Sequence, residues 1–424
     1  MARPAVPHIL AAALMTLVAC LITSCGLLQR PSPAPAARHP GFELLHAGPA
    51  VLWVDWARCG EPLRDEEQAL AFALATREMG ITHLGLETRG HDGESVLGSG
   101  HPHHQSLLAV REAARAADLR LALIHPLFLA PGDTDSARLL HDTEWQDGGP
   151  AARLFRPAGE DTPGVRLSPA LPANRELEMQ ALAEVLQADL DFDFLILVEG
   201  GFPSVESDVG PAARHAFELW SGLSFRQWPA EVLGTSPPPN PYMAEERGEL
   251  WNAWLAWRAG LWREIISSLR RTVEDGPGPA PPIALLVDAP YPMHLRQGIN
   301  WASPARPVTE DFGWLPHGYE TTGTGHLLDS VVLGFWEVGM QTREEASEAG
   351  FAWWVSMEGA VALAERYRRG GSAIWAAIPA GGEGNWADAA RSALEETDGL
   401  VLISAGDFLE TPALWEELGG RHPL

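Results

Sequence analysis

Between residues 50 and 403, eight short apolar runs alternate with segments of helical pattern. This alternation constrains the fold more than any other feature. The runs are Val51–Val54, His83–Leu86, Leu121–Ile124, Phe194–Val198, Ile283–Val287, Ser330–Phe335, Ala373–Ala377 and Leu400–Ile403. Most are continuously apolar, as expected of strands covered on both faces of a parallel sheet. Between them Glu66–Met79, Gln105–Ala117, Asn174–Ala188, Glu249–Val273, Glu344–Arg369 and Trp386–Glu396 read as helices. In the fourth helix Leu250, Trp254, Trp257, Leu261, Ile265 and Leu269 recur every three or four residues. That places them on one stripe facing a sheet, and assigns its tryptophans to the core.

Eight strands in βα order predict an α/β fold, a (β/α)8 TIM barrel with long βα loops. A doubly wound open sheet is the other architecture with this order. The first run is followed by Asp55-Trp56-Ala57-Arg58, which lacks the glycines of a phosphate cradle. Two long connections stand out, Pro126–Pro172 after the third strand and Tyr291–His326 before the sixth. In a barrel such loops build the site.

Composition narrows the chemistry. Among 424 residues, 30 are basic and 56 acidic, a net charge of −26. No basic face for nucleic acid is expected. Every basic residue is arginine, so neither a Schiff-base lysine nor a P-loop lysine exists.

The N-terminus reads as an export segment. Residues 1–24 carry Arg3 and then an apolar run from Ile9 to Ile22, shorter than a membrane span. Ile22-Thr23-Ser24-Cys25-Gly26 resembles a bacterial lipobox, which makes Cys25 the lipidated residue. Leu17-Val18-Ala19-Cys20 fits the same pattern, but Cys25 leaves the longer apolar core. Residues 25–45 then form a tether rich in Pro and Ala, and residues 46–424 the barrel domain. The expectation is an exported lipoprotein held to the cell envelope through its lipid. Cys59 is the one further cysteine.

Barrel sites lie at the C-terminal ends of the strands. Those ends offer Asp55-Trp56, Glu87, His125, Glu199, Asp288 and Trp336-Glu337, with Tyr291 and Glu383 in the following loops. Converging carboxylates repel one another. Glycoside hydrolysis uses such a set, one carboxyl of raised pKa as acid and a second as its partner. Trp56, Tyr291, Trp301 and Trp336 are candidate stacking surfaces for sugar rings. Glu199 is the first choice for general acid and Asp288 for its partner. Asp55, Trp56, Glu87, His125, Tyr291, Trp301, Trp336 and Glu383 are candidate substrate contacts, with Asp55, Glu87 and Glu383 in reserve for the catalytic pair.

His101-Pro102-His103-His104 is a dense imidazole cluster. It lacks a helical i, i+4 pair and an acidic partner at recognisable spacing. The sequence reading therefore assigns no metal and no cofactor. No Gly-x-Ser-x-Gly elbow is present.

The order of short motifs resembles the glycosyl-hydrolase-like family 10 proteins across residues 50 to 418. Val51-Leu52-Trp53-Val54 and Gly80-Ile81-Thr82 are similar to its opening strand and the approach to the second. Leu167-Ser168-Pro169, Asn174-Arg175-Glu176, Asp208 to Trp220 and Trp257-Arg258 follow its order. Tyr291-Pro292, Gly298-Ile299-Asn300-Trp301, Asp329 to Trp336 and Asp398 to Ser404 complete the series. The resemblance implies a TIM barrel acting on glycan. One departure matters. The family's fourth strand carries an Asp and an Arg where this chain, aligned on Pro203, has Val198 and Gly201. Glu199 is one position later, on the other side of the strand by alternation.

Two functions follow as expectations. One is hydrolysis of a cell-envelope or extracellular polysaccharide by paired carboxylates. The other is a non-catalytic glycan-binding or scaffold lipoprotein with a degenerate barrel. A third, a metal-dependent hydrolase or deacetylase, requires the histidine cluster to reach the mouth.

Overall fold

The computed structural model describes residues 48–417 except 147–148, 156–163, 238–246, 290–296, 307, 314, 337–339, 369–371 and 382–385. The expected export segment, Cys20, Cys25 and the whole of the expected tether lie outside the described residues. Among the described residues no helix is long and apolar enough to cross a membrane.

Eight parallel strands close into a barrel. They are β1 (Ala50–Val54), β2 (His83–Glu87), β3 (Arg120–Pro126), β4 (Phe194–Val198), β5 (Ile283–Asp288), β6 (Ser330–Gly334), β7 (Ala373–Pro379) and β8 (Gly399–Ile403). Each pairs with its sequence neighbours, and β1 pairs with β8 in the register Ala50↔Leu400 to Trp53↔Ile403. This is the predicted TIM barrel, and closure excludes the open sheet. The strands match the eight apolar runs because both of their faces are covered.

Alternate residues point inward. Val51, Ile124, Ile196, Leu286, Val332 and Val401 belong to one packed cluster inside the barrel. A side chain at Gly85 would lie 2.7 Å from Ile124 Cδ1 and 2.9 Å from Val51 Cγ1. The glycine therefore lets its neighbours fill that layer. A second, larger core lies between the strands and the outer helices. These are α1 (Glu66–Glu78), α2 (His104–Ala116), α3 (Pro172–Gln187), α4 (Pro211–Ser221), α5 (Trp251–Glu274), α6 (Met357–Tyr367) and α7 (Trp386–Glu396).

In α5 the predicted stripe is buried from Trp254 to Leu269. Trp254 and Trp257 meet Phe217 of α4 at 5.3 and 5.5 Å, and Phe225 stacks on the same ring at 5.2 Å. Much of the high tryptophan content is thus structural.

One predicted helix is broken. Glu344–Arg369 divides into Arg343–Glu348, a 3-10 turn at Trp353–Val355, and α6. Gly350 takes φ +76 beyond the first piece, and Ser356 caps the last by accepting the Gly359 N–H. At Gly359 a Cβ would overlap the Trp353 carbonyl. The described part of the long connection after β3 is also structured. It holds a hairpin, His141–Gln146 with Gly149–Leu154, and a two-strand ladder, Leu129–Ala130 with Val165–Arg166.

Trp254→Ala removes a fully buried ring from the α4–α5 contact. Loss of about 3–5 kcal/mol is expected, read from the denaturant midpoint, with the circular-dichroism spectrum of the folded state kept.

Candidate active site

The alternation that fills the barrel also aims the residues at its mouth. In β2 the face that includes Gly85 ends at Glu87. In β5 Ala284 and Leu286 point inward, so Asp288 does as well. In β1 Trp53 packs against the interior cluster. Glu87 and Asp288 are three strands apart round a ring of eight, and so belong to different walls of one mouth.

Each of these carboxyls is held by an indole. Trp53 Nε1 donates to Glu87 Oε1 at 2.8 Å, and Trp336 Nε1 donates to Asp288 Oδ1 at 2.7 Å. The Trp336 ring folds back over Gly334, where a Cβ would come within 2.8 Å of it. Trp336 is nevertheless 44% exposed. It offers an accessible aromatic surface beside an acid.

Glu87 has the most altered chemistry at the mouth. Burial pushes its pKa up to about 8, and the nearby Asp55 and Glu199 act in the same direction. The Trp53 indole and the Trp56 N–H, which donates to Oε2 at 3.3 Å, oppose this. The side chain is therefore protonated at neutral pH, as a proton donor must be.

Glu199, the first choice from sequence, stands differently. Val198 occupies the inward position of β4. Glu199 follows at φ +55, is exposed, and its Oε2 lies 3.1 Å from Arg166 Nη2. Arg166 also donates to the Glu199 carbonyl at 2.7 Å. An arginine thus reaches the end of the fourth strand from the Val165–Arg166 ladder rather than from the strand itself.

Several candidate contacts are corrected by burial. Trp56 is fully buried and donates its Nε1 to the Glu87 carbonyl at 2.8 Å. It positions Glu87 and cannot stack on a sugar. Trp301 is buried against Tyr367. His125 is fully buried, with Nδ1 2.7 Å from the Thr88 hydroxyl and Nε2 2.8 Å from Glu178. Burial lowers the pKa of this imidazole although Glu178 pulls the other way. Glu178 of α3 also binds Arg89 at 3.1 Å and the Phe128 N–H at 3.0 Å. The group ties α3 to the ends of β2 and β3.

Asp55 is engaged by the chain. Its carboxylate accepts from the Ser404 hydroxyl, the Gly406 N–H (3.2 Å) and the Arg58 N–H (3.1 Å). It thereby links the end of β1 to the segment after β8. Tyr291, Glu337 and Glu383 lie outside the described residues.

Sequence reasoning overlooked Trp53 and Arg166. The signal for Trp53 was its place two residues before Asp55, on the inward face. No local signal marked Arg166. The histidine cluster also looks different in the fold. Asp92 and Glu94, upstream in the same loop, come close to His101. A depression of about 850 Å³ lies on the outer wall between α3 and α5, bordered by Arg175, Trp220 and Arg263. None of the strand-end carboxyls lines it.

No family model and no curated protein matches this chain. Solved structures do. The chain is similar to alpha-L-fucosidase isoenzyme 2 from Paenibacillus thiaminolyticus, with TM-score 0.53 and 11% identity over 87% of this chain and 48% of that one. It is also similar to the catalytic domain of beta-amylase from Paenibacillus polymyxa, with TM-score 0.51 and 11% identity over 88% and 94%. The chain spans about half the length of the fucosidase. At this identity the likeness is one of fold, a barrel shaped like those of glycoside-hydrolase catalytic domains.

The raised pKa of Glu87 has a consequence for stability. Its folded value, about 8, lies above the ordinary 4.5. Its contribution is present below the lower value and is lost as pH rises through the upper one. Glu87→Gln abolishes that loss, so its Tm should gain on the parent between pH 5 and 8. A constant difference across this range would contradict the assignment.

Proposed function

We propose that the protein hydrolyses a glycan at the barrel mouth, with Glu87 as general acid and Asp288 as its carboxylate partner. The observation that carries this reading is the pair of inward carboxyls on separate walls, each bound by an indole, one of them kept protonated. Glu87 gives its proton to the leaving glycosidic oxygen. Asp288 either attacks the anomeric carbon or activates a water. A separation near 5 Å at the reacting sugar corresponds to the first course and about 6.5–9.5 Å to the second. Trp336 stacks on a pyranose ring beside Asp288. This assignment moves the acid from Glu199 to Glu87, because alternation aims Glu87 inward and Val198 takes the inward place in β4. Arg166 and Glu199 then serve as polar contacts at the same rim.

The barrel likeness to the fucosidase and beta-amylase domains supports a carbohydrate substrate, and the motif order supports the glycosyl-hydrolase-like family 10 reading. The substrate is a cell-envelope or extracellular polysaccharide, and the chain is exported and lipid-anchored at Cys25. A second reading, glycan binding without cleavage, is favoured by one observation. The inward end of the fourth strand is Val198 instead of an acid.

Reducing-end release from a panel of polysaccharides tests the first reading. Glu87→Gln should lower turnover by about a hundredfold or more while binding persists. Turnover of the parent should fall as pH rises through about 8. Trp53→Phe removes a hydrogen bond that lowers the Glu87 value, so it should move this limb to higher pH. Full activity of Glu87→Gln would remove the acid assignment, and binding without release by the parent would favour the second reading. For the anchor, Cys25→Ala should shift the chain from the membrane to the soluble fraction. Continued membrane retention would point to Cys20.

A further inference from the structure

We propose a second site, for a divalent transition-metal ion, formed by Asp92, Glu94 and His101 in the loop after β2. One ligand atom from each lies within 4.8 Å of the others. The loop is built for this approach. Gly93, at φ +81, turns the chain so that Asp92 and Glu94 stand together, and the Gly90 N–H donates to the Glu94 carbonyl at 2.9 Å. A Cβ at Gly90 would come within 2.6 Å of Asp92 Oδ1 and 3.1 Å of His101 Nε2, so glycine leaves room for the group.

The independent pointer to a ligand is His101. Its side chain is only 2% exposed. Its Nε2 makes no hydrogen bond among the described residues and stands at ion-pair distance from Asp92 Oδ2, 3.4 Å, a contact that a bound ion would replace. Two ligands about 2.0–2.2 Å from a tetrahedral ion stand roughly 3.3–3.6 Å apart. An imidazole with two carboxylates suits zinc better than calcium or magnesium, which take oxygen. Glu94 is exposed and Asp92 partly so, which leaves a route for the ion and a coordination place for water. The His103 ring lies 5.3 Å from His101, close to the same group.

His101 Nδ1 accepts the His103 N–H at 3.1 Å. Ligation through Nε2 moves the ring proton to Nδ1 and gives up this bond, so residues 101–103 adjust on loading. The gain is a fixed loop. A Cβ at Gly93 would overlap the Ala130 carbonyl, and the Gly164 N–H donates to the His91 carbonyl at 3.1 Å. Ala130 pairs with Val165, next to the Arg166 that holds Glu199. The ion would thus brace the wall of the mouth from outside the carboxylate pair. It takes no part in the proposed hydrolysis.

Calorimetric titration of the chelator-stripped full chain with zinc chloride tests this, with metal analysis after dialysis. One equivalent should bind and raise the Tm. Asp92→Asn and His101→Ala should weaken binding by more than the roughly 10- to 100-fold that loss of an outer partner costs. Should either variant fold poorly, the parent loaded with cobalt chloride decides by its absorption spectrum. The intense visible bands of four-coordinate cobalt with a nitrogen ligand are expected. No saturable zinc binding, zinc binding unchanged in both folded variants, or a purely six-coordinate oxygen spectrum would overturn the site. None of these readouts depends on glycan cleavage, so they fail or succeed apart from the function proposed above.

Discussion

Closure of the parallel sheet on itself is the constraint from which the rest of the molecule follows. In an open sheet a strand has two outer faces, each free to be covered by helices. In a closed ring one face is shared by all eight strands, and every second residue competes for the same interior. Small residues must alternate with large ones there, which is why Gly85 sits beside Val51 and Ile124. Where the filled layers end, the same alternation places polar groups in the opening. Glu87 and Asp288 are inward for the reason Gly85 and Leu286 are inward. Closure itself is reinforced at the seam, where the Asp55 carboxylate spans from β1 to Ser404 and Gly406.

The carboxyls are balanced between opposing effects. Taking an acid out of water disfavours its charged form, whereas an indole or backbone N–H favours it. At Glu87 burial outweighs two hydrogen bonds and two neighbouring acids add to it. At Glu178 the balance is reversed. Burial pushes it upward too, but Arg89, His125 and the Phe128 N–H together hold it below the ordinary range. One acid stays protonated and able to give a proton; the other stays charged and fastens α3 to the strands. Similar sequence contexts, a carboxylate near a strand end or on a helix, thus produce opposite chemistry through their partners.

The fold was legible because it depends on periodicity. Eight apolar runs and their spacing mark the strands, and the α5 stripe marks the helix that covers them. The break between Arg343–Glu348 and α6 was missed because it depends on the close approach of Gly359 to a carbonyl, a tertiary fact. The site was legible only in part. The inward places of Asp288 and Trp336 follow from alternation. The choice between Glu87 and Glu199 turns on a register that the sequence left open. Trp56, just past a strand end, and Trp301, in a loop, were misplaced because an aromatic residue near the mouth is buried in the core as readily as it faces solvent. Arg166 and the meeting of Asp92 with His101 depend on loop conformation, which leaves no periodic trace.

The parallel arrangement also gives the barrel a direction. All eight strands run toward the mouth, and β1 begins at the opposite floor. There Pro49 lies beside the start of β8 and accepts the Leu400 N–H at 2.9 Å. The first described residues, Gly48 and Pro49, therefore lie at the floor, where the chain enters the barrel. A tag or reporter domain joined at that entry therefore starts from the side opposite Glu87 and Asp288, and meets the opening only by reaching round the barrel.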